Sequence, residues 1–249
     1  MSARFEELLQ KAQRMLVFTG AGISTGSGIP DFRGPQGVWK TRQPVYFDEF
    51  LASEEKRVEY WQYKCEYYDL FMTAQPNATH EAIAQLERLG RVQAVVTQNI
   101  DGLHQMAGSS EEKVVEVHGT NRWIECVTCD ARLAPAPIVA WFREHGSCPR
   151  CACGGFLKSA TISFGQPLRP AVLERAFREA ARADLVLALG STLSVHPAAS
   201  IPLWQHSSST RRSATSSRAS SSTRGCFARV NRNRSRTRSL DISTSRSCA

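Results

Sequence analysis

The feature that most constrains this chain is a set of short, unbroken apolar runs that end at glycine or a polar turn. Residues 14–20 read Arg-Met-Leu-Val-Phe-Thr-Gly, residues 92–97 read Val-Gln-Ala-Val-Val-Thr, and residues 184–190 read Asp-Leu-Val-Leu-Ala-Leu-Gly. Runs of this length without polar alternation predict strands buried on both faces, which occur in parallel sheets covered by helices. Between them, residues 80–89 place apolar side chains at Ala82, Ile83, Leu86 and Leu89 and stop at Gly90, and residues 171–183 carry a second such pattern. These segments predict helices. Strand, helix and strand in alternation predict an α/β fold with a doubly wound, Rossmann-like parallel sheet.

Two stretches exceed a simple crossover. Residues 41–79 are rich in aromatics (Tyr46, Phe47, Phe50, Tyr60, Trp61, Tyr63, Tyr67, Tyr68, Phe71) and predict a helical insert from about Phe47. Residues 120–161 hold Cys126, Cys129, Cys148, Cys151 and Cys153, five of the eight cysteines. With no signal-peptide core at the start of the chain, this clustering favours a thiolate metal site in a reducing compartment over a disulfide framework, and a cytoplasmic location. Four thiolates complete a tetrahedral Zn²⁺ and leave no open position for water, so the site is expected to be structural. The second pair is open at this point: Cys148 and Cys151 are separated by two residues, Cys151 and Cys153 by one.

The formal charge of +8 invites a nucleic-acid reading, but it sits in one place. Residues 207–249 contain ten Arg against a single acid, Asp241, so residues 1–206 are close to neutral. That Ser/Arg-rich tail cannot bury a core and is expected to be disordered or the product of a lost reading frame. Residues 1–206 are expected to form the catalytic domain, with the later sheet elements missing. No specific nucleic-acid partner and no membrane partner are expected, since no apolar run approaches the roughly 18 residues of a spanning helix.

Three motifs lie where such sheets bind ligands. The first strand runs into Gly20-Ala-Gly22-Ile-Ser24-Thr-Gly26, whose small residues suit a pyrophosphate at a helix N-terminus. The third glycine of the dehydrogenase fingerprint is replaced by Thr25, and no acid follows about 20 residues on, which counts against hydride transfer. Residues 28–34, Gly-Ile-Pro-Asp-Phe-Arg-Gly, bring Phe32 and Arg33 to a loop. Gln98, Asn99 and Asp101 follow the second strand and suit recognition of an amide and a ribose. His118, between an apolar run and Gly119, is the leading general-base candidate.

In this order and spacing, Gly20-Ala-Gly-Ile-Ser24, residues 28–34, Gln98-Asn-Ile-Asp101, His118-Gly119, the cysteine cluster and Gly190-Ser-Thr192 resemble the sirtuin (Sir2) family, most closely its bacterial, class II-like members. The resemblance covers residues 1 to about 204 and implies an NAD-dependent protein-lysine deacylase, a deacetylase and hence a transferase, that moves an acyl group from lysine to ADP-ribose and releases nicotinamide. It implies that Gly20, Ala21, Gly22, Ser24, Arg33, Gly190 and Ser191 line the NAD site while Phe32 shields the nicotinamide pocket. It further implies that Gln98, Asn99 and Asp101 orient the nicotinamide ribose and carboxamide, and that His118 is the base, with Asn99 and Asp101 beside it in the chemistry. In the family scheme the acyl oxygen attacks C1′ of the ribose, and His118 then draws a proton from the ribose hydroxyls. The Cys-Gly-Gly stretch lies a fixed distance before Phe164-Gly165-Gln166, which implies Cys126, Cys129, Cys151 and Cys153 as ligands of one zinc, with Cys148 in reserve. The family's usual glutamate after Phe-Gly is Gln166 here. Desuccinylase-like members carry a Tyr and an Arg where this chain has Trp61 and Lys64, so neutral acyl groups are expected. After Pro197-Ala-Ala199 the family continues with a strand ending in Val-Asn; Val230-Asn231 is read as coincidence, with no strand before it. A catalytically impaired, zinc-stapled NAD- or peptide-binding protein is the alternative if that adenosine half-site is lost.

Overall fold

In the computed structural model, residues 3–32, 34, 37–40 and 42–204 are described, with backbone alone at Trp39 and across Cys226–Val230. The tail on either side of that last segment lies outside the described residues, as does Arg33.

The three apolar runs form β1 (Met15–Thr19), β2 (Val92–Thr97) and β7 (Leu185–Leu189), and residues 114–117 supply β3 (Val114–Glu116). They pair in parallel in the order β3-β2-β1-β7, extended at the edge by β8 (Cys226–Val230). The chain builds outward from β1 in one direction through β2 and β3, then returns to the other side of β1 as β7, which puts the topological switch point between β1 and β7. Alternation along each strand divides the side chains between two layers. Leu16, Phe18, Ala94, Val96 and Val186 pack under α7 (Pro170–Arg182) through Ala176 and Ala180. Met15, Val17, Val92, Val95 and Leu187 pack under α1 (Ala3–Lys11) and α4 (Ala78–Arg88) through Phe5, Leu9, Ile83 and Leu86.

The tail departs from expectation at one point. Where no C-terminal strand was expected, β8 pairs along the whole of β7, from Leu185 opposite Cys226 to Leu189 opposite Val230. The physical reason is the edge: β7 without a neighbour presents a row of unpaired backbone groups, and Cys-Phe-Ala-Arg-Val is the one short apolar run in the tail able to meet it. Val230 therefore ends a strand, and Asn231 lies outside the described residues.

The two inserts fold as one module. The aromatic stretch forms α2 (Phe47–Ala52) and α3 (Glu54–Thr73), broken at Ser53, whose side chain caps α3 by accepting from the Lys56 amide. The cysteine stretch forms an antiparallel sheet of β5 (Arg132–Leu133), β4 (Gly119–Cys126) and β6 (Leu157–Thr161) with α6 (Pro135–His145). Phe50, Tyr60 and Trp61 share a core with Ile124, Val139, Phe142 and Leu157. Trp61 is fully buried, stacks on Phe142 at 5.9 Å, and donates its indole N–H to the Leu157 carbonyl at 3.0 Å.

A buried imidazole pair joins α4 to the short α5 (Leu103–Met106): His80 and His104 rings meet at 5.1 Å, and His104 Nε2 lies 3.0 Å from Thr19 Oγ1 at the end of β1. Burial, with His80 adding to it, pushes His104 down to about 3 from its ordinary 6.5. Two predictions follow from these contacts. Trp61→Phe, which strands the Leu157 carbonyl and thins the stack, lowers unfolding free energy by about 2 kcal/mol in chemical denaturation. His104 takes up its proton less readily folded than unfolded, so its share of stability is whole above pH 6.5 and drains away as pH falls toward about 3. His104→Gln flattens that acid slope; an unchanged slope would assign it to other groups.

Candidate active site

The carboxyl ends of β1 and β7 lie too close for side chains. A Cβ on Gly20 or Gly22 would stand 2.8 Å from the Gly190 carbonyl oxygen, and one on Gly190, whose φ is +61°, would stand 2.3 Å from the Ile23 amide nitrogen. The Gly22 N–H donates to the Gly190 carbonyl at 2.9 Å, locking the two turns together. The sequence suggested a helix N-terminus after β1; the chain instead makes two 3-10 turns, Ala21–Ile23 and Thr25–Ser27, with Ser24 between them. Asn77, which sequence reading passed over, holds this arrangement from outside: it caps α4 by accepting from Thr79, and its Nδ2 donates to the Ile23 carbonyl at 2.8 Å and Ser27 Oγ at 2.9 Å. Its signal was present as an Asn directly before a helical pattern.

Beyond β2, the polar side chains form one chain of hydrogen bonds. Asn99 Nδ2 donates to Ser24 Oγ at 3.1 Å, and that hydroxyl donates to Asp101 Oδ2 at 2.7 Å. The second Asp101 oxygen accepts the Leu103 amide at 3.0 Å, so the carboxylate is fixed by α5. Gln98 Nε2 donates to Ser191 Oγ at 2.8 Å, tying the β2 turn to the β7 turn. Asn99 is buried, and its Oδ1 has no hydrogen-bond partner among the described residues. Ser24 is buried behind the turn and orients its neighbours from there.

His118 is held on two sides. Its Nδ1 lies 3.1 Å from the Gln98 carbonyl, an atom that can only accept, so Nδ1 carries a proton, and in the neutral ring Nε2 is the nitrogen with the lone pair. Its own carbonyl accepts the Ile162 amide at 2.8 Å. Gly119 has φ +73°, and a Cβ there would stand 2.1 Å from the Ala160 carbonyl, so only glycine lets β4 approach β6 beside the imidazole. His118, Asn99, Gln98 and Asp101 line one cavity of about 1480 Å³, together with Gly20, Ala21, Gly22, Phe32, Gly190 and Ser191.

The opposite wall comes from the inserted module. Tyr60 accepts the Ser159 amide at 3.1 Å, and burial raises its phenol to about 12. Lys64 donates to Asn121 Oδ1 at 3.1 Å; burial, reinforced by Lys158, lowers its ammonium to about 7. Trp61 belongs to the module core and is fully buried.

The sulfurs of Cys126, Cys129, Cys151 and Cys153 all lie within 4.8 Å of one another, with Cys126 to Cys153 at 3.5 Å and Cys129 to Cys151 at 3.7 Å. Four sulfurs about 2.3 Å from a central Zn²⁺ would sit about 3.8 Å apart, so the group fits. Amides of Thr128 and Gly155 donate to Cys126 and Cys153, each at 3.4 Å. Cys148 stands apart, buried, its thiol donating to the Pro149 carbonyl. Of the spacings left open, Cys151 and Cys153 are the pair that cluster with Cys126 and Cys129.

The chain is similar along most of its length to proteins of known class. It is 43% identical to the NAD-dependent protein deacetylase of Rhodopseudomonas palustris over 198 residues, covering 79% of this chain and 78% of the relative. It is 44% identical to the NAD-dependent protein deacetylase of Sulfolobus acidocaldarius over 201 residues, 79% and 76% of the two chains. Among solved structures, a Sir2 complex with a deacetylated p53 peptide and 3′-O-acetyl ADP-ribose superposes with a TM-score of 0.78 at 34% identity, covering 92% of this chain and 85% of the other. A Sir2 complex with a p53 peptide and NAD+ gives 0.75 at 35% identity, covering 84% and 83%. The Sir2 family model matches residues 20–197. With its glycine-locked switch point, its Asn99 and His118 on one cavity and its cysteine tetrad, the chain belongs to the Sir2 family.

Proposed function

We propose that this protein is an NAD-dependent protein-lysine deacetylase, taking an acylated lysine of a protein or peptide as substrate and NAD as co-substrate. The observation that carries the reading is that the His118 imidazole and the Asn99 carboxamide open onto one cavity and are joined through consecutive residues at the end of β2. The chain's residues fit a dinucleotide: the small residues Gly20, Ala21, Gly22, Gly190 and Ser191 line the cavity, and the buried Asn99 Oδ1 awaits a donor such as a hydroxyl or carboxamide. When bound, NAD supplies the ADP-ribose that accepts the acyl group as nicotinamide departs.

The protein's part is orientation and one proton. Asp101, fixed by the Leu103 amide, holds Ser24, which holds Asn99 in its rotamer. Gln98, Ala21, Ser191 and Phe32 form the surrounding wall, in which Phe32 would shield the nicotinamide of bound NAD. Because the Gln98 carbonyl engages Nδ1, His118 presents Nε2 as a base toward a ribose hydroxyl. The aromatic wall and the Lys64 amine, which lacks a firm charge at neutral pH, suit a neutral acyl group such as acetyl. The four thiolates hold one structural Zn²⁺, whose role is to knit β4 to the 151–153 turn; such thiolates persist in a reducing cytoplasm. No helix among the described residues is long and apolar enough to cross a membrane. The impaired-binder alternative is not favoured, since the curated relatives are named as deacetylases and a strand flanks β7 where none was expected.

His118→Ala is expected to reduce steady-state, acetyl-peptide-dependent release of nicotinamide from NAD, measured over many turnovers, by about 10²–10⁴-fold while peptide binding survives. Undiminished release would refute the assigned base. Metal analysis of purified protein is expected to find one zinc per chain, retained in Cys148→Ser and lost in Cys151→Ser together with a fall in the unfolding midpoint. Zinc that follows Cys148 instead would overturn the ligand set.

A further inference from the structure

Lys158 lies within β6, is 3% exposed, and plays no part in the scheme above. Its ammonium turns along the strand and donates to the carbonyls of Ser159, at 3.1 Å, and Thr161, and to Gln166 Oε1 at 3.4 Å. The same Gln166 oxygen accepts the Ser163 amide at 3.1 Å. One amine and one amide thus close residues 162–166 on themselves, and these residues form part of the cavity wall. Two further bonds anchor the loop: the Ile162 amide to the His118 carbonyl, and the Phe47 amide to the Phe164 carbonyl, both 2.8 Å. A loop so placed forms the stretch of cavity wall bonded to the backbone of His118.

The charged groups that face Lys158 are few. Glu125 on β4 draws its proton on, but that carboxylate is already shared by Arg132 and Arg169. Arg169, at the start of α7, and Lys64 on α3 both oppose the charge. The acceptors that touch Lys158 are neutral, and the Phe47 ring lies 6.0 Å from its nitrogen.

We propose that Lys158 and Gln166 are positioning residues, an amine and amide latch that holds the 162–166 loop in the shape that receives the acyl-lysine peptide. This rests on the deacetylase reading above. The latch requires three donors: an ammonium supplies them, whereas a neutral amine has two and a lone pair that repels a carbonyl. Burial first, tempered by Glu125 and aided by Arg169, brings the Lys158 ammonium down to about 8, so the latch loosens as pH rises through that value.

The test uses the full chain, an acetyl-lysine peptide with no other ionisable side chain, and two readouts: fluorescence anisotropy for peptide affinity, and nicotinamide release for KM and kcat. Wild type is expected to lose about tenfold in peptide affinity from neutral to alkaline pH, with KM rising and kcat at saturating peptide changing far less. Lys158→Met is expected to show the weak alkaline affinity at every pH. Gln166→Glu, which gives the amine a carboxylate partner, moves the loss to higher pH, and Lys158→Arg, always charged, removes it. Should Lys158→Met fail to fold, the last two variants carry the test. A wild-type pH profile that persists unchanged in both, or full affinity in Lys158→Met, overturns the latch alone. A wild type that neither binds nor turns over the peptide sinks the deacetylase reading itself, and the latch with it.

Discussion

The whole site depends on the contact between the β1 and β7 turns at Gly20, Gly22 and Gly190. Backbone meets backbone there at a separation no Cβ tolerates, and the Gly22 to Gly190 hydrogen bond fixes it. Because the sheet order reverses at this seam, a crevice opens there, and Gly20, Gly22 and Gly190 are part of its lining. A second strand end, β2, delivers Gln98, Asn99 and Asp101 to the rim, and Gln98 binds Ser191 across the seam. Opening that contact would shift each of these groups by more than hydrogen bonds forgive.

Chemical orientation is inherited inward to outward. Asp101 is held by backbone, Ser24 by Asp101, Asn99 by Ser24; on the other arm, the Gln98 backbone fixes the His118 tautomer. Buried Ser24 thus holds Asn99 from behind the cavity wall, and the Asn99 oxygen is left without a hydrogen-bond partner among the described residues. An unpaired polar atom is tolerated where a ligand completes it, and would otherwise weigh against the fold by about 1–3 kcal/mol.

The inserted module works as the second jaw. Helices α2 and α3 bury Phe50, Tyr60 and Trp61 in a core shared with β4, β6 and α6. The cysteine tetrad closes the far end of that small core, while the near end, at the 162–166 loop, reaches His118 through the Ile162 amide. Changes in the module thus reach the imidazole through backbone, without passing through the sheet.

Strand periods, helix patterns and the glycine, Gln-Asn-x-Asp and His-Gly motifs were legible because each rests on local chemistry: unbroken apolar runs demand two-sided burial, and glycine marks close approach. The cysteine tetrad was legible through the resemblance, which implied Cys126, Cys129, Cys151 and Cys153; spacing alone left Cys148 open, and only the fold sets it apart from the other four. Three features were decided only in three dimensions. In the 3-10 turns after β1, Asn77, distant in sequence, occupies the Ile23 carbonyl that a continuing helix would use, and Gly190 accepts the Gly22 amide. Strand β8 arises in a Ser/Arg-rich tail because β7 offers an open edge. Lys158 is buried because its carbonyl and amide partners assemble around it only when β6 and the 162–166 loop come together. The sequence by itself determined which residues could form strands and carry the chemistry, since those are properties of neighbours along the chain; which groups share hydrogen bonds and charge was decided by the tertiary structure, because those energies depend on distances that only folding sets.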